Sequence, residues 1–193
     1  MDNQLNQITT CEICGNKELL EVLNLGNHPL CDELIEIGES TICDEYPIDI
    51  VFCGICNTAH QKYQVPNRIL FTENYHYRSK ATGVVLEGMK NLVSDYLEKH
   101  GSVLGLKVLD IGCNDGSLLD IFKDKGAKTY GIEPTGAALD AQKEHEVLKE
   151  YFDQKNAEYL INNYGEFDII TFTNVFAHIE DLHSLIRNLK IIM

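Results

Sequence analysis

A chain of 193 residues is long enough for one or two domains with a real core, and its 44% apolar content is that of an ordinary globular protein. The formal charge of −14, from 30 acidic and 16 basic residues, argues against a nucleic-acid or anionic-membrane partner, because both need concentrated Lys and Arg. No apolar run is long enough to span a membrane, and the N-terminal residues 1–7 have neither the basic start nor the apolar stretch of a signal peptide, so a cytoplasmic location is the expectation.

The first 71 residues read as a small β-rich module. Cys11-Glu12-Ile13-Cys14 and Cys53-Gly54-Ile55-Cys56 are two C-x-x-C pairs, each able to form a turn that directs both thiolates at one tetrahedral centre. Together Cys11, Cys14, Cys53 and Cys56 make a Cys₄ zinc site. A redox C-x-x-C would normally occur once and open a helix, whereas here two pairs sit in turn-like surroundings. Four thiolates leave no open coordination position, so the zinc is expected to be structural and linked to folding. The remaining cysteines, Cys31, Cys43 and Cys113, read as packed or loop residues. Strand signals cover residues 21–26 and 46–52, the second alternating through Ile48, Ile50 and Phe52 into a cysteine turn. So small a module would bury too little to be stable without its metal.

From residue 81 to 100 the apolar period changes, with Val85, Met89, Leu92, Val93, Tyr96 and Leu97 at helical spacing before Gly101. Strand and helix then alternate: strand 107–112, helix 117–125, strand 128–133, helix 136–145, a short strand at 147–152, helix 154–163, strand 167–173 and a final helix over 179–193. Successive βαβ units imply a parallel sheet with right-handed crossovers. The first strand breaks into Asp110-Ile111-Gly112-Cys113-Asn114-Asp115-Gly116, a glycine-hinged loop opening a helix, which marks a ligand site at the strand end. Asn114 stands where a dinucleotide fingerprint needs its second glycine, so NAD is disfavoured. Glu133 follows Gly112 by about twenty residues, the place for a carboxylate that accepts hydrogen bonds from ribose hydroxyls. Asn174 ends the strand 167–173 at the same sheet edge.

This loop resembles the first motif of class I S-adenosylmethionine-dependent methyltransferases. The implied fold is α/β, a Rossmann-like sheet over residues 72–193 preceded by the zinc module. The resemblance implies that Asp110, Gly112, Asn114, Gly116, Glu133 and Asn174 bind S-adenosylmethionine, with Asp110 near its amino group, Glu133 on its ribose, and Asn174 either on the cofactor or fixing the loop. The sheet of that class continues past the last helix here, so the chain is expected to be a piece of a longer protein and to turn over little by itself.

The order of features narrows the resemblance. The first C-x-x-C, His28-Pro29-Leu30, the second C-x-x-C, the stretch Leu70 to Ser79, the Asp110 motif and Asn174-Val175-Phe176-Ala177-His178 are together similar to the C-methyltransferases of nucleotide-linked keto-deoxysugars. Cys31, where that family usually has a small residue, is a departure. The resemblance implies a nucleotide-sugar substrate, and its catalytic positions fall on Tyr75, Tyr77 and His178. Carbon methylation needs a base to remove a proton next to a ketone and donors to hold the enolate oxygen, and a histidine titrates in the useful range. His178 either moves that proton, or caps the following helix or hydrogen-bonds in the core. Tyr75 and Tyr77 stabilise the enolate, gate the cofactor or simply pack. The other histidines, His60 among them, lack metal spacing and read as surface or structural residues. Methylation of an oxygen or nitrogen, and a non-catalytic zinc-containing scaffold, are the alternatives, and oligomeric state is left open. The missing prolines after Asn174 and the acidic charge count against a nucleic-acid amine substrate.

Overall fold

The structure is a computed structural model that describes residues 5–193. It divides into two compact units, one reaching Leu70 and taking in Glu180–Leu182, the other comprising Phe71–Ile179 and His183–Met193.

The first unit holds β1 (Asn6–Gln7), β2 (Leu20–Pro29), β3 (Glu45–Cys53), β4 (Thr58–Gln61), β5 (Tyr63–Gln64) and the single-turn α1 (Asn67–Leu70). Strands β2, β3 and β4 form an antiparallel meander, and β1 pairs with β5. Its β3–β4 connection is the second C-x-x-C, closed by the Asn57 amide donating to the Cys53 carbonyl at 2.9 Å, with Asn57 at φ +58°. Apolar burial is sparse. Its buried apolar residues are Ile8, Cys11, Tyr46, Val51 and Cys53, while Leu20, Val22, Leu23 and Leu25 of β2 are all at least half exposed.

The second unit contains α2 (Gly83–His100), β6 (Lys107–Ile111), α3 (Ser117–Asp124), β7 (Lys128–Ile132), α4 (Ala138–Ala141), β8 (Glu146–Leu148), α5 (Gln154–Tyr164), β9 (Ile169–Thr171) and α6 (Leu182–Ile192). All four strands are parallel, in the order β8-β7-β6-β9. Period-two alternation along β6 sends Val108 to one face and Leu109 and Ile111 to the other. The first face packs Val108 with Val93, Leu118, Leu119 and Phe122 from α2 and α3. The second packs Leu109 and Ile111 with Ala157, Leu160 and Ile192 from α5 and α6. Helices therefore cover both faces, the doubly wound arrangement the alternating pattern called for. Because the chain leaves β6 toward β7 on one side and later returns as β9 on the other, the crevice beyond the carboxyl end of β6 is the topological switch point where such sheets bind ligands.

Two differences from the sequence reading have local causes. The helix expected over 136–145 is regular only at Ala138–Ala141, then tightens into i→i−3 turns through Glu144. The end of that segment is pulled inward by buried His145, whose Nδ1 lies 2.8 Å from Thr129 Oγ1 and whose Nε2 lies 3.1 Å from Asp120. Strand β9 is shorter than 167–173; at its start the Asp168 amide donates to the Lys107 carbonyl at 3.0 Å, while the Lys107 amide is taken by the Asp168 carboxylate at 2.8 Å. On the helical face of β7, a Cβ at Gly131 would come within 2.5 Å of the Cys113 sulfur, so the strand is bare where that buried thiol packs.

Candidate functional site

In the first unit the four thiols of Cys11, Cys14, Cys53 and Cys56 converge, all within 4.8 Å of one another. The Cys11–Cys56 and Cys14–Cys53 sulfurs are 3.4 and 3.6 Å apart. Tetrahedral zinc with bonds of about 2.3 Å requires sulfurs about 3.8 Å apart, so the cluster has the size of that polyhedron. Its protonation shows why a cation belongs there. The Asn16 amide lowers the Cys14 thiol, but desolvation and the other three sulfurs push it up to about 12. Its neighbour Cys53, accepting from the Cys56 amide, falls to about 6. Four thiolates packed this closely need a compensating positive charge, and a divalent zinc supplies it.

Around the sulfurs stand residues that spacing alone did not mark. Asn16 Nδ2 donates to Cys53 at 3.5 Å and Thr58 Oγ1 lies 3.2 Å from the Cys56 sulfur. His60 is buried with Nε2 3.3 Å from the Cys11 sulfur and Nδ1 3.4 Å from Glu12, whose other oxygen accepts from Gln64 at 3.0 Å. Such partners orient thiolates and temper their charge. A signal was present in the sequence: Thr58 and His60 fall at alternate positions of β4, on one face, immediately after the cysteine turn.

In the second unit the loop after β6 is shaped as its glycines demand. Gly112 has φ +71°, and a Cβ there would lie 2.4 Å from Val175 Cγ2 in the loop after β9, so only glycine permits the two loops to meet. Gly116 has φ +83° with His145 pressed against it. Asn114 also adopts left-handed backbone, φ +51°. Two buried carboxylates end the adjacent strands. Asp110 accepts from Thr171 Oγ1 at 2.7 Å, and burial, with Glu133 adding repulsion, pushes it up to about 7. Glu133 accepts from the Asn114 amide at 3.0 Å, the Thr135 amide at 3.0 Å and Thr135 Oγ1 at 2.6 Å. Among the described residues neither buried acid has an ion-pair partner, which fits a ligand that carries positive charge.

Residues 71–80 run across the loops at this carboxyl edge. The Glu73 carbonyl accepts from the Gly136 amide at 3.1 Å, and the Phe71 carbonyl from Tyr151 at 2.9 Å. The Asn114 side chain accepts from the Ser79 amide at 3.0 Å and donates to the Tyr77 carbonyl at 3.1 Å, while Asp115 accepts from the Lys80 amide at 3.0 Å. Arg78 closes the segment from its other side, Nη1 donating to the Tyr75 and Tyr77 carbonyls at 2.8 and 3.0 Å and Nε to Asp140 at 3.1 Å. Hydrogen bonds from Lys143 and Arg78 hold the Asp140 carboxyl down at about 2.

This segment carries the two tyrosines to His178. Phe71 is the hub: the Tyr75 ring packs edge-on to it at 5.5 Å and the His178 ring at 5.3 Å, with Tyr77 6.5 Å from Tyr75. His178 is exposed in a 3₁₀ turn, Phe176–His178, its ring edge-on to that of Phe71. Asn174 sits in the preceding loop, exposed, at φ +57°. Phe71, Arg78, Asp115 and Thr171 were not singled out by the sequence; each acts through a partner 35 or more residues away, which no local spacing encodes.

Residues 76–193, more than half of the chain, match the family model described as "Methyltransferase domain", and residues 11–71 match "Putative zinc binding domain". C-methyltransferase NovU of Streptomyces niveus is 25% identical over 100% of this chain and 46% of its own length. Ubiquinone biosynthesis O-methyltransferase of Sodalis glossinidius is 33% identical over 48% of this chain and 39% of its own length. The chain thus spans less than half the length of these two curated relatives. Among solved structures, magnesium protoporphyrin IX methyltransferase from Synechocystis PCC 6803 with bound SAM is similar, at 20% identity and a TM-score of 0.43 over 56% of each chain. With its parallel switch-point sheet, its glycine-hinged loop and a family match over residues 76–193, the chain belongs to the methyltransferase-domain family of S-adenosylmethionine-dependent enzymes.

Proposed function

We propose that the protein methylates a carbon of a nucleotide-linked keto-deoxysugar, with residues 1–71 as a structural zinc module on Cys11, Cys14, Cys53 and Cys56, and residues 72–193 as the cofactor-binding domain. When bound, S-adenosylmethionine supplies an electrophilic methyl group. The observation that carries the reading is the convergence of Tyr75 and His178 on Phe71, on a segment hydrogen-bonded to the loop that would hold the cofactor. The likeness to a C-methyltransferase along the entire chain supports it.

Each residue then has a task. Gly112 and Gly116 let the loop lie close under the ligand, with Asn114 contributing backbone and Asn174 shaping the facing loop. Buried Glu133, fixed in place by three donors, would present its carboxylate to the ribose hydroxyls. Asp110 answers the amino group. A substrate ketone placed over the aromatic cluster would have its α-proton taken by the exposed His178 imidazole, while a tyrosine hydroxyl donates to the enolate oxygen. The enolate carbon so formed would be the nucleophile for the methyl group that bound S-adenosylmethionine would supply.

Methylation of a hydroxyl is the second reading, favoured by the 33% identity to an O-methyltransferase across about half of the chain. Both are tested by incubating the protein with isotope-labelled S-adenosylmethionine and either a nucleotide-linked keto-deoxysugar or a phenol. Carbon methylation predicts a carbon-bound label in the sugar, with solvent deuterium entering the α-position and both signals falling in His178→Asn. Label found on phenolic oxygen and never on the sugar would replace this reading with the second.

A further inference from the structure

Asn114 touches both halves of the site at once. Its backbone amide donates to Glu133 Oε2 at 3.0 Å, while its side chain accepts from the Ser79 amide and donates to the Tyr77 carbonyl. Left-handed backbone at φ +51° is what lets amide and side chain reach opposite ways. The Tyr77 carbonyl is thereby held by two donors, Asn114 Nδ2 from the loop and Arg78 Nη1 from the side of α4. Remove the first and the second remains, so the segment stays tethered through Arg78 to Asp140 and through the Lys80 amide to Asp115, while the stretch from Tyr77 to Ser79 loses its bonds to Asn114.

We propose that Asn114 is a positioning residue that couples occupancy of the cofactor loop to the placement of Tyr75 and Tyr77. The proposal rests on the reading of Glu133 and this loop as the cofactor site. A ligand ribose engaging Glu133 restrains the carboxylate to which the Asn114 amide is bonded. The restraint passes through one residue into the backbone from which both tyrosines hang. Only a primary amide provides an acceptor and a donor at these two points: aspartate lacks the donor, and glycine lacks both while keeping the backbone conformation and the amide.

Amide hydrogen exchange at Ser79 and Lys80, measured with and without S-adenosylmethionine, tests it. In the parent, saturating cofactor slows exchange at Ser79 about tenfold, the scale of one to two net hydrogen bonds. Asn114→Gly, measured at cofactor concentrations that saturate it, loses the cofactor-dependent slowing. Asn114→Asp, which keeps the Ser79 acceptor, retains part of it and lowers kcat at saturating S-adenosylmethionine. Equal cofactor-dependent slowing in the parent and Asn114→Gly overturns the coupling. Cofactor binding by the parent with no change at residues 75–80 overturns it as well, while leaving the cofactor site standing. A parent that does not bind S-adenosylmethionine at all removes the proposed function first, and the coupling with it.

Discussion

Asp110 ends β6 with its carboxyl buried, one hydroxyl donor, and a second acid nearby. Its folded pKa of about 7 exceeds the 3.8 of an ordinary aspartate, so between those values the folded chain holds a proton that the unfolded chain has released. The stabilisation is fully present below about pH 4 and is lost as pH rises through about 7. Urea unfolding of the cofactor-free chain over that range should show stability falling, and Asp110→Asn, which still offers Thr171 a carbonyl, should remove that component. Identical pH slopes in the two would show that Asp110 titrates normally. Glu133 accepts three hydrogen bonds at its two oxygens. Losing its charge-assisted hydrogen bonds in Glu133→Ala should weaken S-adenosylmethionine binding by about 1.5–3 kcal/mol, roughly 10- to 150-fold, in a calorimetric titration. Unchanged affinity would remove Glu133 from the ribose.

Between elements, the meeting of the loops after β6 and β9 is fixed by Gly112 and Val175. Gly112→Ala should destabilise the second unit by about 1–3 kcal/mol, through positive φ and the 2.4 Å approach to Val175 together. Adding Val175→Ala should restore the steric part and leave the backbone part, a coupling readable in a double-mutant denaturation cycle. Purely additive effects would place the strain elsewhere. The contrast between what was and was not legible in the sequence follows the same line. The strands β6 and β7 and the helices α2, α3 and α5 announced themselves because each buries a periodic apolar face. Strand β4 did not, since Thr58-Ala59-His60-Gln61 is short and polar and is held by its ladder to β3 and by the cysteine cluster. In the same way Asp110, Gly112 and Glu133 are visible as a local motif, whereas the clamp of Asn114 and Asp115 on residues 77–80 joins positions 35 or more apart and exists only once the chain has folded.

At the scale of the whole molecule, the two units differ in what stabilises them. Among the described residues, both extended apolar clusters lie in the second unit, whereas two of the first unit's five buried apolar residues are themselves cysteines of the thiol cluster. A strong chelator should therefore unfold the meander of β2, β3 and β4 while the parallel sheet keeps its own transition. Circular dichroism with metal analysis would follow this, and Cys53→Ser should mimic chelation. A zinc-free chain whose meander melts at the parent temperature would contradict the folding link. Among the described residues no helix is long and apolar enough to cross a membrane.

The thiol packed beneath Gly131 gives the molecule a built-in gauge of its own integrity. Burial raises Cys113 well above the ordinary thiol range, and its sulfur has no room to meet a reagent while β7 is in place. Of seven cysteines, four lie in the cluster, and Cys31 and Cys43 lie outside it. Counting the thiols that react with a chromogenic disulfide should then give a staircase: Cys31 first and Cys43 more slowly in the metal-loaded chain, six after chelation, and the seventh only when the sheet itself opens. The rate of that last step is the opening rate of the parallel sheet, read by a label nature has already placed at its centre.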